Sequence, residues 1–200
     1  MGSKERMQRV KENTRNGILN AALKIVRAEG WNALNMRKIA EKIDYTVPVI
    51  YEYFANKESI VAELSNTGYQ ILTLKIQEAK NQDLIPAEKL EVMWLAYWNF
   101  AFEEKELYQA MFGVEVHCTV AKGEFSKGEI VASLFSDVIR ELIASDTITD
   151  DMVCTKYFTF WSVVHGLISI NLIQKGTSDE INHRVLHEAI NTTIKSIINN

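Results

Sequence analysis

Residues 39–58 read IAEKIDYTVPVIYEYFANKE, and this stretch has the plan of two short helices joined by a sharp turn. Asn35, just upstream, is a good N-cap for the first helix, and the pair Asp44-Tyr45 ends it. Thr46 can cap the second helix, in which Pro48 is tolerated because it falls in the first turn. Apolar residues mark the buried side of both helices, namely Met36, Ile39, Ala40, Ile43, Ile50 and Phe54. The stretch therefore predicts a helix-turn-helix.

The rest of the chain also carries helical spacing over long uninterrupted stretches. Its 200 residues are 47% hydrophobic with only two prolines and nine glycines, so a sizeable core can form and few breaks interrupt it. Apolar residues from Ile18 to Val26 predict a helix ahead of the quoted stretch, with Gly30 as its C-cap. Further helices are predicted at about 56–79, 86–102, 107–112, around 134–142, 152–175 and 178–198. The predicted fold class is all-α.

The two parts of the chain differ in charge. Residues 1–60 hold 11 Lys and Arg against 7 Asp and Glu, whereas residues 61–200 hold 11 against 19, and the net charge is −4. Charges more than about 8–10 Å apart are largely screened in physiological salt, so a basic region can attract phosphate although the whole chain is acidic. We therefore expect an N-terminal three-helix head at 1–60 and a larger helical domain at 61–200, joined within the helix that starts at Asn56.

Several protein classes lack support in the sequence. The two cysteines, Cys118 and Cys154, are isolated, and neither an apolar leader nor a run of about 18 apolar residues occurs, so we expect a cytoplasmic protein and no membrane partner. No GxSxG, HExxH, Walker or GxGxxG string occurs, so we expect neither an enzyme nor a cofactor. We expect no metal, with a metal-sensing site at His183, His187 and the pair His117-Cys118 as the alternative.

The helix-turn-helix strings resemble those of a known family. Residues 39–42 followed by 48–58 resemble the signature of TetR-family transcriptional regulators. Residues 18–23 and Gly30 resemble the first helix of that family and its end, so that the resemblance covers about residues 18–62. It implies a transcriptional regulator that binds double-stranded operator DNA as a homodimer.

The resemblance also implies which side chains contact DNA. After the Thr46 cap, the first three helical residues match the family's base-contacting positions in the major groove: Val47, Pro48 and Val49. Tyr51 and Lys57 match residues that contact phosphate, and Arg37 matches a position of the preceding helix that often contacts DNA. Thr46 and Tyr53 complete the candidate DNA-binding set, and ordinary packing is the alternative role for Tyr51 and Tyr53.

The sequence departs from the family pattern at two positions. Asp44 stands where the family usually has a glycine between the two short helices, and Asp reaches a left-handed conformation less easily than Gly. Glu52 stands at a position that is more often basic or aromatic. A carboxylate near phosphates costs affinity unless it accepts a hydrogen bond from a cytosine amine, so the role of Glu52 is open.

Two strings in the larger domain resemble segments of one large subgroup of the family. One is residues 107–112, and the other is the Trp-x-x-x-His-Gly string formed by Trp161, His165 and Gly166. Trp161 and His165 are four residues apart and share a helix face. Glycine inside a helix costs about 1 kcal/mol relative to alanine, so we expect Gly166 to have a packing reason such as close helix approach.

The larger domain is rich in side chains that can line an apolar cavity, because aromatic walls bind flat or greasy molecules over a large area. The candidate pocket residues are Trp94, Trp98, Tyr108, Met111, Phe112, Phe125, Phe135, Tyr157, Trp161 and His165. The alternative is a filled core, and for His165 a role in the core or at an interface.

These observations predict a repressor that a small apolar or aromatic effector releases from a palindromic operator. We expect the homodimer to form through the helices at 152–175 and 178–198. The alternative is an architectural or protein-interacting DNA-binding factor that responds to no ligand.

Overall fold

The computed structural model describes residues 2–113, 125–143, 145, 147–174 and 178–198. Within these ranges the regular structure is helical and no strand occurs. The helices are α1 (Ser3–Glu29), α2 (Met36–Lys42), α3 (Val47–Tyr53), α4 (Lys57–Lys80), α5 (Pro86–Glu103), α6 (Lys105–Phe112), α7 (Phe125–Ile143), α8 (Asp150–Gln174) and α9 (Asp179–Ile198), with one 3-10 turn at Trp31–Ala33. The predicted fold class is confirmed.

The chain folds as two compact units. The first comprises Met1–Gly68 together with Glu106–Ala121, and the second comprises Tyr69–Lys105 together with Lys122–Asn200. Helix α4 runs through the division between the units, and α6 belongs to the N-terminal unit although it follows α5 along the chain.

In the first unit α1 packs on α2 and on the 3-10 turn, and α2 packs on α3. The buried side chains that join them include Ile18, Ala22, Ile25, Trp31, Ile39, Ile50 and Phe54. Fully burying an aliphatic or aromatic side chain contributes about 1.5–3 kcal/mol, so this small core is sufficient to hold short helices that would not be stable alone. Gly30 ends α1 with φ +80°, a conformation that favours glycine.

The caps predicted around the two short helices are largely confirmed. Asn35 Oδ1 accepts a hydrogen bond from the Lys38 backbone N–H at 2.9 Å, and Asn56 Oδ1 accepts one from the Ser59 N–H at 2.8 Å. Pro48 lies in the first turn of α3, and Thr46 is the N-cap residue, although its side chain makes no capping hydrogen bond. Asp44 adopts the left-handed conformation that the family glycine would take, with φ +58°.

The first helix is much longer than its apolar pattern predicts. The apolar spacing begins at Ile18, whereas α1 begins at Ser3. Residues 4–13 are all exposed, so they carry no buried face that periodicity could reveal. Lys, Arg, Glu, Gln and Met are nevertheless strong helix formers, and they extend a helix that the packed part has nucleated.

The second unit is built around α5. This helix packs on α7, α8 and α9, which also pack on one another. Pro86 occupies the first turn of α5, where its missing N–H costs nothing. The core is aromatic and aliphatic, with Trp94, Tyr97, Phe100, Phe135, Phe160, Ile168, Leu186 and Ile190 buried.

Among the described residues, no helix combines the length and the apolar character needed to cross a membrane.

Candidate nucleic-acid interface and aromatic core

Helix α3 presents a surface of apolar, tyrosine and glutamate side chains. Ile50 within it and Phe54 at its end are buried and hold the helix on the first unit. Val47 and Val49 are half-buried, Pro48 is exposed, and the Tyr51 side chain is 52% exposed. Tyr53 is half-buried, so its position combines packing with access to the surface. The side of α3 away from the core therefore carries methyl groups, the accessible Tyr51 phenol and the exposed carboxylate of Glu52.

Arg37 lies on the exposed face of α2. Its Nε donates to Glu41 Oε1 at 2.8 Å, and the two side chains are 82% and 61% exposed. Such a surface pair contributes little to stability, at most about 1 kcal/mol, so the guanidinium can exchange this carboxylate for another acceptor at small cost. The remaining N–H groups of the guanidinium are available for bidentate contact with a guanine or a phosphate.

Lys57, the first residue of α4, makes a hydrogen bond within the first unit that the sequence does not predict. Its Nζ donates to the backbone carbonyl of Trp31 at 3.1 Å. An ammonium group has three donors, so two N–H groups of Lys57 remain for a phosphate. The contact fixes the position of the Lys57 side chain on the first unit.

Trp31 is itself held by α6. The indole Nε1 of Trp31 donates to Gln109 Oε1 at 3.0 Å, and both side chains are buried. Gln109 is one of few buried polar side chains in the described residues, together with Ser65 and Asn182. Sequence reasoning missed Trp31 and Gln109 because 78 positions separate them. The signal available was a glutamine between the apolar residues of the 107–112 segment.

In the second unit Trp94 is the centre of an aromatic stack. The centroid of its ring lies 4.1 Å from that of Phe135, 5.4 Å from that of Phe160 and 6.1 Å from that of Tyr157. The planes of these rings are nearly parallel to the plane of the indole. The buried indole Nε1 of Trp94 has no hydrogen-bond acceptor among the described residues. Burial, with a further contribution from Tyr69, raises the pKa of Tyr157 far above its usual value, so its phenol is neutral.

A second aromatic group lies along α5 and α8. Trp161 Nε1 donates to the Tyr97 hydroxyl at 3.1 Å, and the Trp161 ring stacks on His165 with centroids 4.6 Å apart. Burial lowers the pKa of His165, because the charged imidazolium loses solvation there. A neutral imidazole is therefore favoured against the indole.

A cleft of about 530 Å³ opens in the second unit among α5, α8 and α9. Of the predicted pocket residues, Trp98 lines it. The other lining residues are mostly polar or charged: Asn99, Phe102, Glu103, Asn171, Asp179, Asn182 and His183. The structure thus separates Trp98 from the stack around Trp94.

The remaining predicted pocket residues do not belong to the described core of the second unit. Tyr108 and Met111 are buried on α6, and Phe112 packs against Tyr108 with ring centroids 4.7 Å apart, so these three belong to the first unit. The side chain of Phe125 lies outside the described residues.

The two histidines of α9 contact side chains of α5, and the sequence had suggested them as alternative metal ligands. His187 Nδ1 lies 3.1 Å from Glu91 Oε1, and His183 lies 6.4 Å from the Trp98 ring. Over the part of the chain that is described, no three His, Cys, Asp or Glu side chains are grouped to hold a metal ion. His117 and Cys118 fall outside that part.

Two family models match the chain. Residues 18–64 match the bacterial regulatory proteins of the tetR family, and residues 90–190 match the tetracyclin repressor-like C-terminal domain. The second match alone covers half of the chain. Together with the helix-turn-helix geometry, these matches show that the chain belongs to the TetR family of bacterial transcriptional regulators. Assignment to the Trp-x-x-x-His-Gly subgroup stays a prediction.

Individual relatives agree with this family. An HTH-type transcriptional regulator of Haemophilus influenzae is 24% identical over 97 residues, which are 48% of this chain and 52% of that protein. The HTH-type transcriptional repressor KstR of Mycolicibacterium smegmatis is 28% identical over 93 residues, 46% of this chain and 43% of that protein. The match thus spans about half the length of these curated relatives. The TetR-family regulator PfmR of Thermus thermophilus superposes with a TM-score of 0.67 at 14% identity, over 89% of this chain and 97% of that one.

Proposed function

We propose that this regulator is a homodimeric repressor that binds a palindromic operator and leaves it when a small apolar or aromatic effector binds. The observation that carries the proposal is the exposed side of α3, where Pro48 and Tyr51 are exposed to solvent while Ile50 is buried. A short helix that packs on its own unit with one side and exposes the other side to solvent can insert into the major groove. That the relative KstR is a repressor supports repression as the direction of regulation. Because the proposed target is DNA, we also propose a cytoplasmic location.

Contacts to DNA divide into two kinds in this proposal. Val47, Pro48 and Val49 meet the edges of bases, and Arg37 reaches a base or a phosphate beside them. Tyr51 and Lys57 bind phosphates and so set the position of α3 without reading sequence. The Lys57 bond to the Trp31 carbonyl supports this role, since a lysine already held at one donor loses less freedom when its other donors find a phosphate.

An exposed apolar face on α8 and α9 supports the dimer. Val163, Ile170 and Ile173 of α8 are 42%, 55% and 62% exposed, and Ile181 and Val185 of α9 are exposed as well. On α8 the three residues share a side with Gly166 by their 3- and 7-residue spacing. Large exposed apolar patches are typical of interaction sites, and we assign this one to a second copy of the chain.

Gly166 strengthens that assignment. A Cβ built on this glycine would have no neighbour within 4 Å among the described residues. A glycine in the middle of a helix costs about 1 kcal/mol, and packing within the described part of the chain gives no reason for it. Close approach of the α8 helix of a second copy would supply the reason.

The effector site of the proposal lies at the stack around Trp94. The aromatic rings there offer flat apolar contact. The indole N–H of Trp94, which finds no acceptor in the described ranges, would be satisfied by a ligand that carries one. We therefore propose a flat, mainly apolar effector with at least one oxygen or nitrogen acceptor. Binding must separate rings that now stack, which links occupancy of the site to a change in the packing of α5, α7 and α8.

The dense packing of this core also favours the second candidate, a DNA-binding factor that responds to no ligand. Trp94, Phe135 and Phe160 are completely or almost completely buried, and each already stacks on another ring. A compound library screened for release of the DNA complex and for a raised melting temperature separates the two candidates.

The dimer and the DNA complex are tested together with Gly166→Glu. A charge on the apolar face should split the dimer and abolish operator binding at the same protein concentration. Cys154→Glu is the matched control, because this exposed residue of α8 lies on a different side of the helix. A Gly166→Glu protein that stays dimeric in sedimentation, or a wild-type protein that is monomeric at micromolar concentration, contradicts the proposed dimer.

A further inference from the structure

The N-terminal part of α1 is an exposed helix that the head does not need for its core. We call residues 3–14 the N-terminal extension. Ile18 is the first buried residue of α1, and residues 4–13 are exposed throughout. At 1.5 Å per residue the extension is about 18 Å long, the length of roughly half a turn of duplex DNA.

The extension is basic, and its cations have no anionic partners within the part of the chain that the structure describes. Lys4, Arg6, Arg9 and Lys11 form no ion pair among the described residues. Its two carboxylates accept hydrogen bonds from neutral donors, Glu5 from the Gly2 backbone N–H at 3.0 Å and Glu12 from the Gln8 side chain at 2.8 Å. Four cations against two carboxylates leave the extension with a net charge of +2 on about three helical turns, and this excess of positive charge attracts a polyanion.

One side of the extension is aligned with the end of α3. Lys4, Gln8, Lys11 and Arg15 follow the 4-, 3- and 4-residue spacing that places side chains on one helix face. The last of them is fixed in the structure, because its guanidinium lies 4.8 Å above the ring of Phe54 and its Nη1 lies 3.2 Å from Glu63 Oε1. Phe54 is the residue that ends α3. Lys4 and Lys11 therefore continue the face that Arg15 turns towards the junction of α3 and α4.

We propose that Lys4 and Lys11 bind the phosphates of DNA that flanks the half-site read by α3, so that the extension is a second DNA-contacting element of each head. The inference rests on the proposed function, since it requires α3 to lie in an operator. Arg6 and Arg9 point to other sides of the same helix by their spacing and take no part in this contact. The contact carries no base specificity, because it is made to the backbone alone.

The test compares two double variants that remove the same charge from the same helix. Lys4→Gln with Lys11→Gln removes the aligned pair, and Arg6→Gln with Arg9→Gln is the matched control. The DNA is a site selected from random sequence by the wild-type protein, made once with flanks of about ten base pairs and once trimmed to the selected site. Affinity is measured over a range of salt concentrations, and circular dichroism checks that both variants keep the fold.

On the flanked duplex the variant with Lys4→Gln and Lys11→Gln should show a shallower dependence of log K on log salt. The magnitude of the slope should fall by up to about 4 per dimer, since each lost phosphate contact contributes about 0.9. The control pair should change the slope by less than half as much. On the trimmed duplex the wild-type protein and the aligned variant should bind equally. Equal losses from both pairs, or a loss that persists on the trimmed duplex, would overturn the inference.

The same measurements distinguish this inference from the function on which it rests. If the wild-type protein selects no DNA site, the proposed function fails. If it selects a site and the aligned variant binds the flanked duplex as the wild type does, only the role of the extension fails. A loss of self-association in place of DNA affinity would assign the extension to a protein contact and would also overturn the inference.

Discussion

Trp31 donates its indole hydrogen to Gln109 at 3.0 Å in the interior of the N-terminal unit, while the carbonyl of the same tryptophan accepts from Lys57 at 3.1 Å. One residue thus joins α6 to the first residue of α4. Gly68 allows α6 to approach α4 closely, because a Cβ there would lie 2.5 Å from the sulfur of Met111. The position of a candidate phosphate-binding lysine therefore depends on a helix that follows α5 in the chain.

Gln109→Met should lower the free energy of unfolding by about 1–3 kcal/mol, because it leaves the buried indole N–H of Trp31 without an acceptor. Chemical denaturation measures the loss. The matched variant is Gln8→Met on the exposed part of α1, which should change stability by less than about 0.5 kcal/mol. If both variants are equally stable, the Trp31–Gln109 hydrogen bond contributes nothing.

Lys57→Ala and Tyr51→Phe should weaken binding to the operator and to a scrambled duplex by the same factor, because phosphate contacts do not read sequence. Titration of both duplexes at one salt concentration measures the two factors. Lys89→Ala on α5 removes a lysine from the other unit and should leave both affinities unchanged. A loss confined to the operator would reject the phosphate roles of Lys57 and Tyr51.

Trp94→Phe should destabilise the protein less than Trp161→Phe, although Trp94 is the more buried residue. The first change removes an indole N–H that has no acceptor among the described residues, whereas the second breaks a hydrogen bond to the Tyr97 hydroxyl. Removing an unpaired buried donor recovers about 1–3 kcal/mol, which offsets the packing lost with the smaller ring. The opposite order in thermal or chemical unfolding would contradict an unpaired Trp94 N–H.

The same variant tests the acceptor that we propose for the effector. Quinoline and naphthalene have the same shape, but only quinoline carries an acceptor nitrogen. The ratio of their affinities should favour quinoline more in the wild type than in Trp94→Phe. The indole N–H resonance of Trp94 should move further downfield with quinoline, whose nitrogen accepts its hydrogen, than with naphthalene. An unchanged ratio, or no binding of either compound, would reject this position and chemistry for the effector.

The reading head should favour thymine beneath α3. Val47, Pro48 and Val49 have no side-chain hydrogen-bond group, and the apolar feature of the major groove is the thymine methyl. Guanine recognition is then left to Arg37. Replacing the thymines under α3 by uracil removes only the methyls, so binding should weaken at those positions and not elsewhere in the half-site. If uracil is tolerated throughout while Val47→Ala still costs affinity, recognition uses DNA shape.

Local chemistry made much of the N-terminal head predictable. Asn35, Asn56 and Pro48 act through neighbours a few positions away, so the bounds of α2, α3 and the start of α4 followed from them. The hydrogen bond of Trp31 to Gln109 is different, because its partners meet only after α6 has joined the first unit. The extension of α1 was missed since an exposed basic helix leaves no apolar period.

Packing explains why the candidate pocket was harder to predict. A list of large apolar residues does not say which of them meet, and the structure assigns Trp94, Phe135 and Tyr157 to one stack and Trp98 to a polar cleft. Tyr108 and Met111 are equally apolar but are buried in the first unit. Such assignments depend on long-range contacts that helical spacing does not contain.

Selection of bound sequences from random DNA by the purified wild-type protein tests the central claim most directly. The claim predicts enrichment of a palindrome whose half-sites are about one helical turn, 34–36 Å, apart or a multiple of it, because two α3 helices related by a two-fold axis must enter successive major grooves. A Pro48→Glu protein should recover no such site. Recovery of no enriched sequence by the wild type, or of a single unrepeated half-site, would contradict a dimeric operator-binding repressor.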